Sequence, residues 1–138
     1  RNPLVANECI PLYRPGADIT CIAGGAITGK TFVKVSVGLN PGNPSSNVDS
    51  TLATVVTNTA AGRAFGVAVA DAASGARVAV ITGPGHVVPV TWGAAVAAGA
   101  EVESNASGQA ITLAAGKVLG YAVSATTAAD QDLFVRLA

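Results

Sequence analysis

Apolar and polar residues alternate in short runs along most of this chain. Residues 31–37 (TFVKVSV) give a clear example, because β-branched side chains occupy every second position. A period of two is typical of a β-strand with one buried face. Clusters of Gly, Pro, Asn and Ser separate the runs and indicate turns. We therefore predict about ten short strands and no long amphipathic helix.

Two segments of the chain carry the same motif, one at about 62–81 and the other at about 116–137. Each begins with Gly, a cation, two apolar residues and a second Gly (GRAFG and GKVLG). Each ends in a further alternating run (RVAVI and DLFVRL). Two alternating runs joined by a turn rich in small residues predict a β-hairpin. The sequence therefore predicts an internal hairpin duplication.

The predicted fold class is all-β, a small β-barrel or β-sandwich of about ten short strands. Residues 18–138 are expected to form a single β-domain, because the length of 138 residues suits one domain. Residues 1–17 contain three prolines, which resist regular structure, and are predicted to form an irregular N-terminal arm. The loop at 39–50 is long for a compact domain, and such loops are often functional.

The N-terminal arm is more apolar than a solvated tail would be. It is interpreted either as a segment that lies on its own domain or as one that docks on a partner. The single tryptophan, Trp92, is either a core anchor or an interface hot spot. The candidate interface residues are Leu4, Val5, Ile10, Leu12, Tyr13, Arg14 and Trp92.

Composition limits the possible partners. Only 12% of the residues are charged and the net charge is zero, whereas nucleic-acid and membrane-surface binders show clustered basic residues. We expect neither partner, and low charge favours association with protein instead. No apolar run reaches the roughly 18 residues needed to span a bilayer, and the first residues lack the apolar core of a signal peptide.

Cys9 and Cys21 are the only cysteines. They are either bridged or, more commonly in a chain without export signals, buried as small hydrophobic residues. One His and two Cys without C-x-x-C spacing do not make a metal site. We therefore expect no metal ion and no cofactor.

Residues 24–31 (GGAITGKT) match the phosphate-binding pattern G-x-x-x-x-G-K-[ST]. In such a loop the amides hold phosphates, Lys30 would reach the terminal phosphates and Thr31 would bind magnesium. The segment 67–71 (VAVAD) resembles the accompanying strand that ends in a magnesium-binding Asp. A phosphate loop must open a helix, but the residues after Lys30 alternate as in a strand. We interpret Gly29-Lys30-Thr31 as a turn into a strand, with Lys30 as a strand-edge cation.

No other group of residues predicts catalysis. His86 has no Ser-based partner motif and is expected to be either exposed or hydrogen-bonded locally. Glu101 and Glu103 would share one strand face, where a solvated edge is a better interpretation than a paired-carboxylate site. Asp130 and Asp132 flank a turn, where Asp is common. The prediction is that the protein is not an enzyme.

Several motifs occur in an order that resembles a known family: RPGADIT (14–20), GKTFVKV (29–35), AGRAFGVA (61–68), GARVAV (75–80), GKVLGYA (116–122) and a final LFVRL. The order is similar to that in the small capsid cement, or head decoration, proteins of tailed bacteriophages. The resemblance spans about residues 14–137. The 39–50 loop and the segment before Arg14 have no counterpart in it.

The resemblance implies a structural virion protein that binds the outer surface of a phage capsid. It would stabilise the lattice of major capsid proteins, usually as a homotrimer at threefold or quasi-threefold positions. Its expected location is the outer capsid surface, with the host cytoplasm as the site of assembly. No catalytic residue carries over. Within this interpretation, residues 1–13 are expected to contact the capsid lattice or a neighbouring decoration subunit.

The alternative is a β-fold binding module of a phage tail or surface protein that recognises a receptor or a glycan. Such a module would share the fold but should present clustered exposed aromatic side chains. The chain has only one Trp, two Tyr and three Phe, which favours the capsid interpretation.

Overall fold

A computed structural model of the protein describes residues 18–38, 52–126 and 132–138. These residues form ten β-strands and no helix, which confirms the all-β prediction. The strands are β1 Asp18–Ala23, β2 Phe32–Val37, β3 Thr54–Thr57, β4 Gly66–Ala68, β5 Arg77–Ile81, β6 Val87–Thr91, β7 Glu101–Ser104, β8 Ala110–Thr112, β9 Gly120–Ala122 and β10 Asp132–Leu137. The predicted N-terminal arm and the 39–50 loop lie outside the described residues.

The first five strands form a closed barrel in the order β1-β3-β2-β4-β5. The pairing of β5 with β1 closes it. β1 and β3 run parallel, and the other neighbouring pairs are antiparallel. Closure removes the free strand edges on which another chain would add.

The last five strands repeat this connectivity. Their order is β6-β10-β9-β7-β8, and all four pairings are antiparallel. A parallel bridge between Trp92 and Ala110 links the two ends of this sheet, in the way that β1 meets β3 in the barrel. Pro89 lies in β6, at an end of the sheet, as expected for a residue that cannot donate a backbone hydrogen bond. The duplication therefore includes five strands in each half rather than one hairpin.

Recurring hydrogen bonds identify equivalent residues in the two halves. The Phe65 amide donates to the Val33 carbonyl at 2.7 Å, and the Leu119 amide donates to the Val102 carbonyl at 3.0 Å. Both predicted hairpins are present, as β4–β5 and β9–β10. The two halves therefore share their strand connectivity and these local backbone contacts.

The second glycine of each motif allows a close strand approach. A Cβ on Gly66 would meet the Ile81 carbonyl oxygen and lie 2.7 Å from Val80 Cγ1. A Cβ on Gly120 would meet the backbone of the next strand in the same way and lie 2.8 Å from Val135 Cγ1. Packing therefore explains why both copies of the motif carry glycine at this position.

Two apolar clusters form the core. One lies in the first half and includes Cys21, Ile27, Val33, Val55 and Val80. The other lies mainly in the second half, but its buried members include Phe32 and Val67 of the first half. One outward side of the barrel is therefore covered by the second half.

Backbone hydrogen bonds also join the two halves. The Phe32 amide donates to the Gly108 carbonyl at 2.7 Å, and the Thr91 amide donates to the Lys30 carbonyl at 2.7 Å. The Ala61 amide donates to Ser104 at 2.9 Å. Burial and hydrogen bonding together fix the orientation of the halves.

The expectation of a solvated edge at Glu101 and Glu103 is wrong for one of the two. Glu101 is exposed, but Glu103 is only 4% exposed. The segment after β8 covers its carboxylate, and the Ala114 amide donates to Glu103 Oε1 at 2.6 Å. A charge-assisted hydrogen bond of this kind offsets part of the cost of burial.

Candidate functional site

Residues 24–31 are followed directly by a strand rather than by a helix, because β2 begins at Phe32. Lys30 has a φ angle of 62°, in the left-handed region. Its amide donates to Ala68 at 2.9 Å, and the Gly99 amide, with φ 83°, makes the corresponding bond to Ala122 at 2.7 Å. The turn therefore recurs in the second half, where no phosphate-binding pattern exists. The prediction of a turn into a strand is confirmed.

The groups that would hold phosphate and magnesium have other partners. The Gly29 amide donates to Asp71 Oδ1 at 2.8 Å, and the Thr31 hydroxyl donates to the Thr28 carbonyl at 2.6 Å. Lys30 Nζ lies 3.0 and 3.2 Å from the two carboxylate oxygens of Asp132, at the start of β10. Lys30 is thus a turn residue that connects the two halves through an ion pair.

The outward side of β6, β10 and β9 forms an exposed surface. In β10, Leu133, Val135 and Leu137 are buried, whereas Phe134 and Arg136 between them are exposed. Phe134 pairs with Pro89 across the strands, and Arg136 pairs with Val87 on one side and Tyr121 on the other. The Val123 amide donates to the Phe134 carbonyl at 2.8 Å and extends the surface. We define the β6–β10–β9 face as Val87, Pro89, Tyr121, Val123, Phe134 and Arg136.

This face has the composition of a protein-binding surface. It holds four of the eight exposed large apolar side chains in the described residues, among them Phe134 at 46% and Tyr121 at 41% exposure. The Arg136 guanidinium carbon lies 5.6 Å from the centre of the Tyr121 ring, in cation–π contact. Aromatic residues and Arg are enriched at interfaces and carry much of their binding energy.

The equivalent row of the first half is buried within the molecule. Register places Phe32, Val67 and Ile81 side by side across β2, β4 and β5. Phe32 is 1% exposed and Val67 is 2% exposed. Both belong to the apolar cluster that lies mainly in the second half, which we call the second core. This position on the barrel therefore forms the contact between the halves.

In the second half, register places Glu101, Tyr121 and Arg136 in the same row. All three are exposed. No described part of the chain covers this row, although its equivalent in the first half is an interface. The second half thus presents on the surface the side that the first half uses for packing.

The sequence did not single out the β6–β10–β9 face, but a signal for it was present. In DLFVRL the buried positions are Leu133, Val135 and Leu137, so Phe134 falls on the same side as Asp132 and Arg136. A large aromatic side chain in phase with charged residues indicates an apolar group on an exposed face.

Most residues predicted for the interface lie outside the described residues: Leu4, Val5, Ile10, Leu12, Tyr13 and Arg14. Trp92 is half-buried and packs against the second core. Its use in an interface stays a prediction. His86 Nδ1 lies 3.1 Å from the Gly83 carbonyl oxygen, so the expected local hydrogen bond is confirmed.

Cys21 is fully buried and free, and burial raises the pKa of its thiol. Cys9, the other half of the conceivable bridge, lies outside the described residues. Within 18–38, 52–126 and 132–138, no three His, Cys, Asp or Glu residues group closely enough to hold a metal ion. The same ranges contain no helix that is long and apolar enough to cross a membrane.

Comparison with known proteins identifies the family. The sequence profile described as "Phage cement protein" matches residues 13–137. The chain belongs to the phage cement protein family. It is a structural protein of the virion that binds the capsid, and the resemblance noted from its motifs is confirmed. No curated protein matches the sequence.

A solved structure shares the fold. The crystal structure of the head fiber gp8.5 N base in bacteriophage phi29 matches with a TM-score of 0.67 over 88% of this chain and 92% of that one. The two sequences are 18% identical. At this level of identity the likeness shows a common fold alone.

Proposed function

We propose that this cement protein binds the outer surface of the capsid and strengthens the lattice of major capsid proteins through its β6–β10–β9 face. The observation that carries the proposal is the concentration of Phe134, Tyr121 and Arg136 on a face without a partner in the described residues. A lattice-stabilising protein acts by burying surface against neighbouring subunits. The face supplies aromatic anchors and a cation for that purpose.

We further propose that the protein acts as a homotrimer, assembles onto heads in the host cytoplasm and uses residues 18–138 as a single β-domain. Zero net charge supports self-association, because little electrostatic repulsion opposes contact between copies. In this proposal residues 1–13 add a second capsid contact, and repeated arms raise the affinity through avidity.

The proposed activity is binding without catalysis. The amide of Gly29, the hydroxyl of Thr31 and the ammonium of Lys30 already have protein partners. A nucleotide would have to displace each of them, including the Asp71 carboxylate that accepts from the loop.

The test is cosedimentation with expanded capsids that lack this protein. Phe134→Ser should weaken binding by at least about tenfold, because a central aromatic anchor typically contributes 2 kcal/mol or more. Thermal unfolding should change little, since Phe134 is already half exposed in the free protein.

Val123→Ser and Val69→Ser provide the matched pair. Both valines are about half exposed, at 51% and 48%, and they follow the same strand in the two halves. Val123→Ser should reduce capsid binding and Val69→Ser should not. Equal binding by wild type, Phe134→Ser and Val123→Ser would refute the β6–β10–β9 face as the contact.

A further inference from the structure

An open groove of about 400 Å³ lies at the boundary between the two halves. Its accessible apolar lining comes from the half-buried Phe65 and the exposed Val118, which lie over the buried side chains of Phe32, Leu119 and Leu137. No residue of the β6–β10–β9 face lines it, so it is separate from the proposed capsid contact. Its volume falls in the range of pockets that hold small ligands or short peptide segments.

Arg63 and Lys117 line the same groove, one from each copy of the duplicated motif. Both residues are exposed, and neither makes an ion pair with a described residue. Among the described residues, no Asp or Glu side chain lines the groove; Ala138, the last residue of the sequence, lies beside it. A cleft with charges of one sign and apolar walls concentrates the electrostatic potential and attracts ligands of opposite charge.

Packing accounts for the motif positions around these cations. Gly66 and Gly120 permit close strand approach, and the amides of Phe65 and Leu119 bond to the neighbouring strand. The side chains of Arg63 and Lys117 have no such hydrogen bond to the described part of the chain. What the two cations share in the described structure is that both line the groove.

We propose that this groove binds an extended peptide segment of a partner protein in which acidic and apolar side chains alternate. The carboxylates would meet Arg63 and Lys117, and the apolar side chains would cover Phe65 and Val118, the lining side chains that keep accessible apolar surface. Such a segment would bury the apolar lining and also neutralise the two cations. An inorganic anion would neutralise the cations but leave the apolar lining exposed to water. This binding site goes beyond the capsid contact and does not depend on it.

The probe is the capped pentapeptide Ac-ELELE-NH2, titrated into full-length ¹⁵N-labelled protein, with Ac-KLKLK-NH2 as the charge-reversed control. Saturable amide shifts are expected at Thr82, Gly83 and Val118, which line the groove. Affinity for the acidic peptide should exceed that for the basic one by about tenfold or more, and it should fall as salt screens the charges.

The variant Arg63→Glu/Lys117→Glu should weaken binding of the acidic peptide by about tenfold or more. Lys34→Glu/Arg77→Glu carries the same change in net charge at two residues that line neither the groove nor the β6–β10–β9 face, and it should leave binding unchanged. Equal losses in both double variants would mean that only net charge matters, which overturns the site. Absence of saturable shifts, or equal affinity for the two peptides, would also overturn it.

Two further outcomes would reassign the groove. Inorganic phosphate that saturates the same amides with equal affinity would replace the peptide by a simple anion. Peptide affinity that rises severalfold when residues 1–13 are removed would show that the chain's own first segment competes for the groove, which contradicts an external partner. Capsid binding of Phe134→Ser tests the other surface and does not bear on this result.

Discussion

Replacement of Gly66 by alanine tests the close approach of β4 to β5. The approach of β9 to β10 at Gly120 is its counterpart in the second half. The new Cβ would lie 2.7 Å from Val80 Cγ1, about 0.7 Å short of the 3.4 Å at which ordinary contact begins. It would also meet the carbonyl oxygen of Ile81, which is backbone and cannot rotate away. β4 must therefore move away from β5.

The cost has two parts. Overpacking a tight site typically costs 1–3 kcal/mol. Displacement of a three-residue strand also weakens its ladder to β5, where Val67 pairs with Ile81 and Ala68 with Val80, at about 1 kcal/mol per lost hydrogen bond. Alanine also lowers the conformational entropy of the unfolded chain, which offsets this loss of stability by about 0.4–1 kcal/mol. We expect Gly66→Ala to lower the free energy of unfolding by about 2–4 kcal/mol.

Urea unfolding followed by Trp92 fluorescence and by circular dichroism measures this loss. Gly120→Ala should behave alike, because its Cβ would meet the neighbouring strand at 2.8 Å from Val135 Cγ1. Gly25→Ala is the control: a Cβ there has no atom within 4 Å, so stability should change by about 0.5 kcal/mol or less. A loss below about 1 kcal/mol in both Gly66→Ala and Gly120→Ala would refute the argument from close approach.

Three further predictions follow from single features. Lys30→Ala should lower the free energy of unfolding by at most about 1 kcal/mol, because the ion pair between Lys30 and Asp132 is exposed. Capsid binding should persist in this variant. Calorimetry should find no nucleotide binding to either the wild type or the variant. Burial raises the pKa of the Cys21 thiol above its usual 9.0, so the unfolded chain loses its proton first and stability should fall as the pH rises above about 9. This fall should be smaller in Cys21→Ala. A truncation that begins at Arg14 should keep its melting temperature but lose capsid affinity; unchanged affinity would exclude the arm as a contact.

Alternation along the chain was sufficient to predict the strands and both hairpins. The signal is local, since DLFVRL and RVAVI each need one buried face whatever surrounds them. The turn at Lys30 was predictable for the same reason, because the residues after it favour a strand over a helix. Local preference and global fold agree at these positions.

Burial that depends on contact between the halves was not predictable from alternation. Phe32 and Val33 are adjacent in β2 and both are buried, one by the second half and the other by the barrel interior. Glu103 is a second residue whose burial alternation does not predict, because the segment around Ala114 covers it. A period of two identifies opposite faces, but it does not say which of them another part of the chain will cover.

The two halves use one structural position for different purposes. In the first half, the row that includes Phe32 and Val67 is apolar and lies in the second core. In the second half, Glu101 and Tyr121 occupy that row and remain exposed. Two equal apolar rows would leave one uncovered on the free protein and promote indiscriminate association. A row with charge and an aromatic ring stays soluble alone and still provides binding energy when a matching surface meets it. The duplication thus supplies the fold, and the divergence of this row leaves one copy exposed at the surface, where we propose that partners bind.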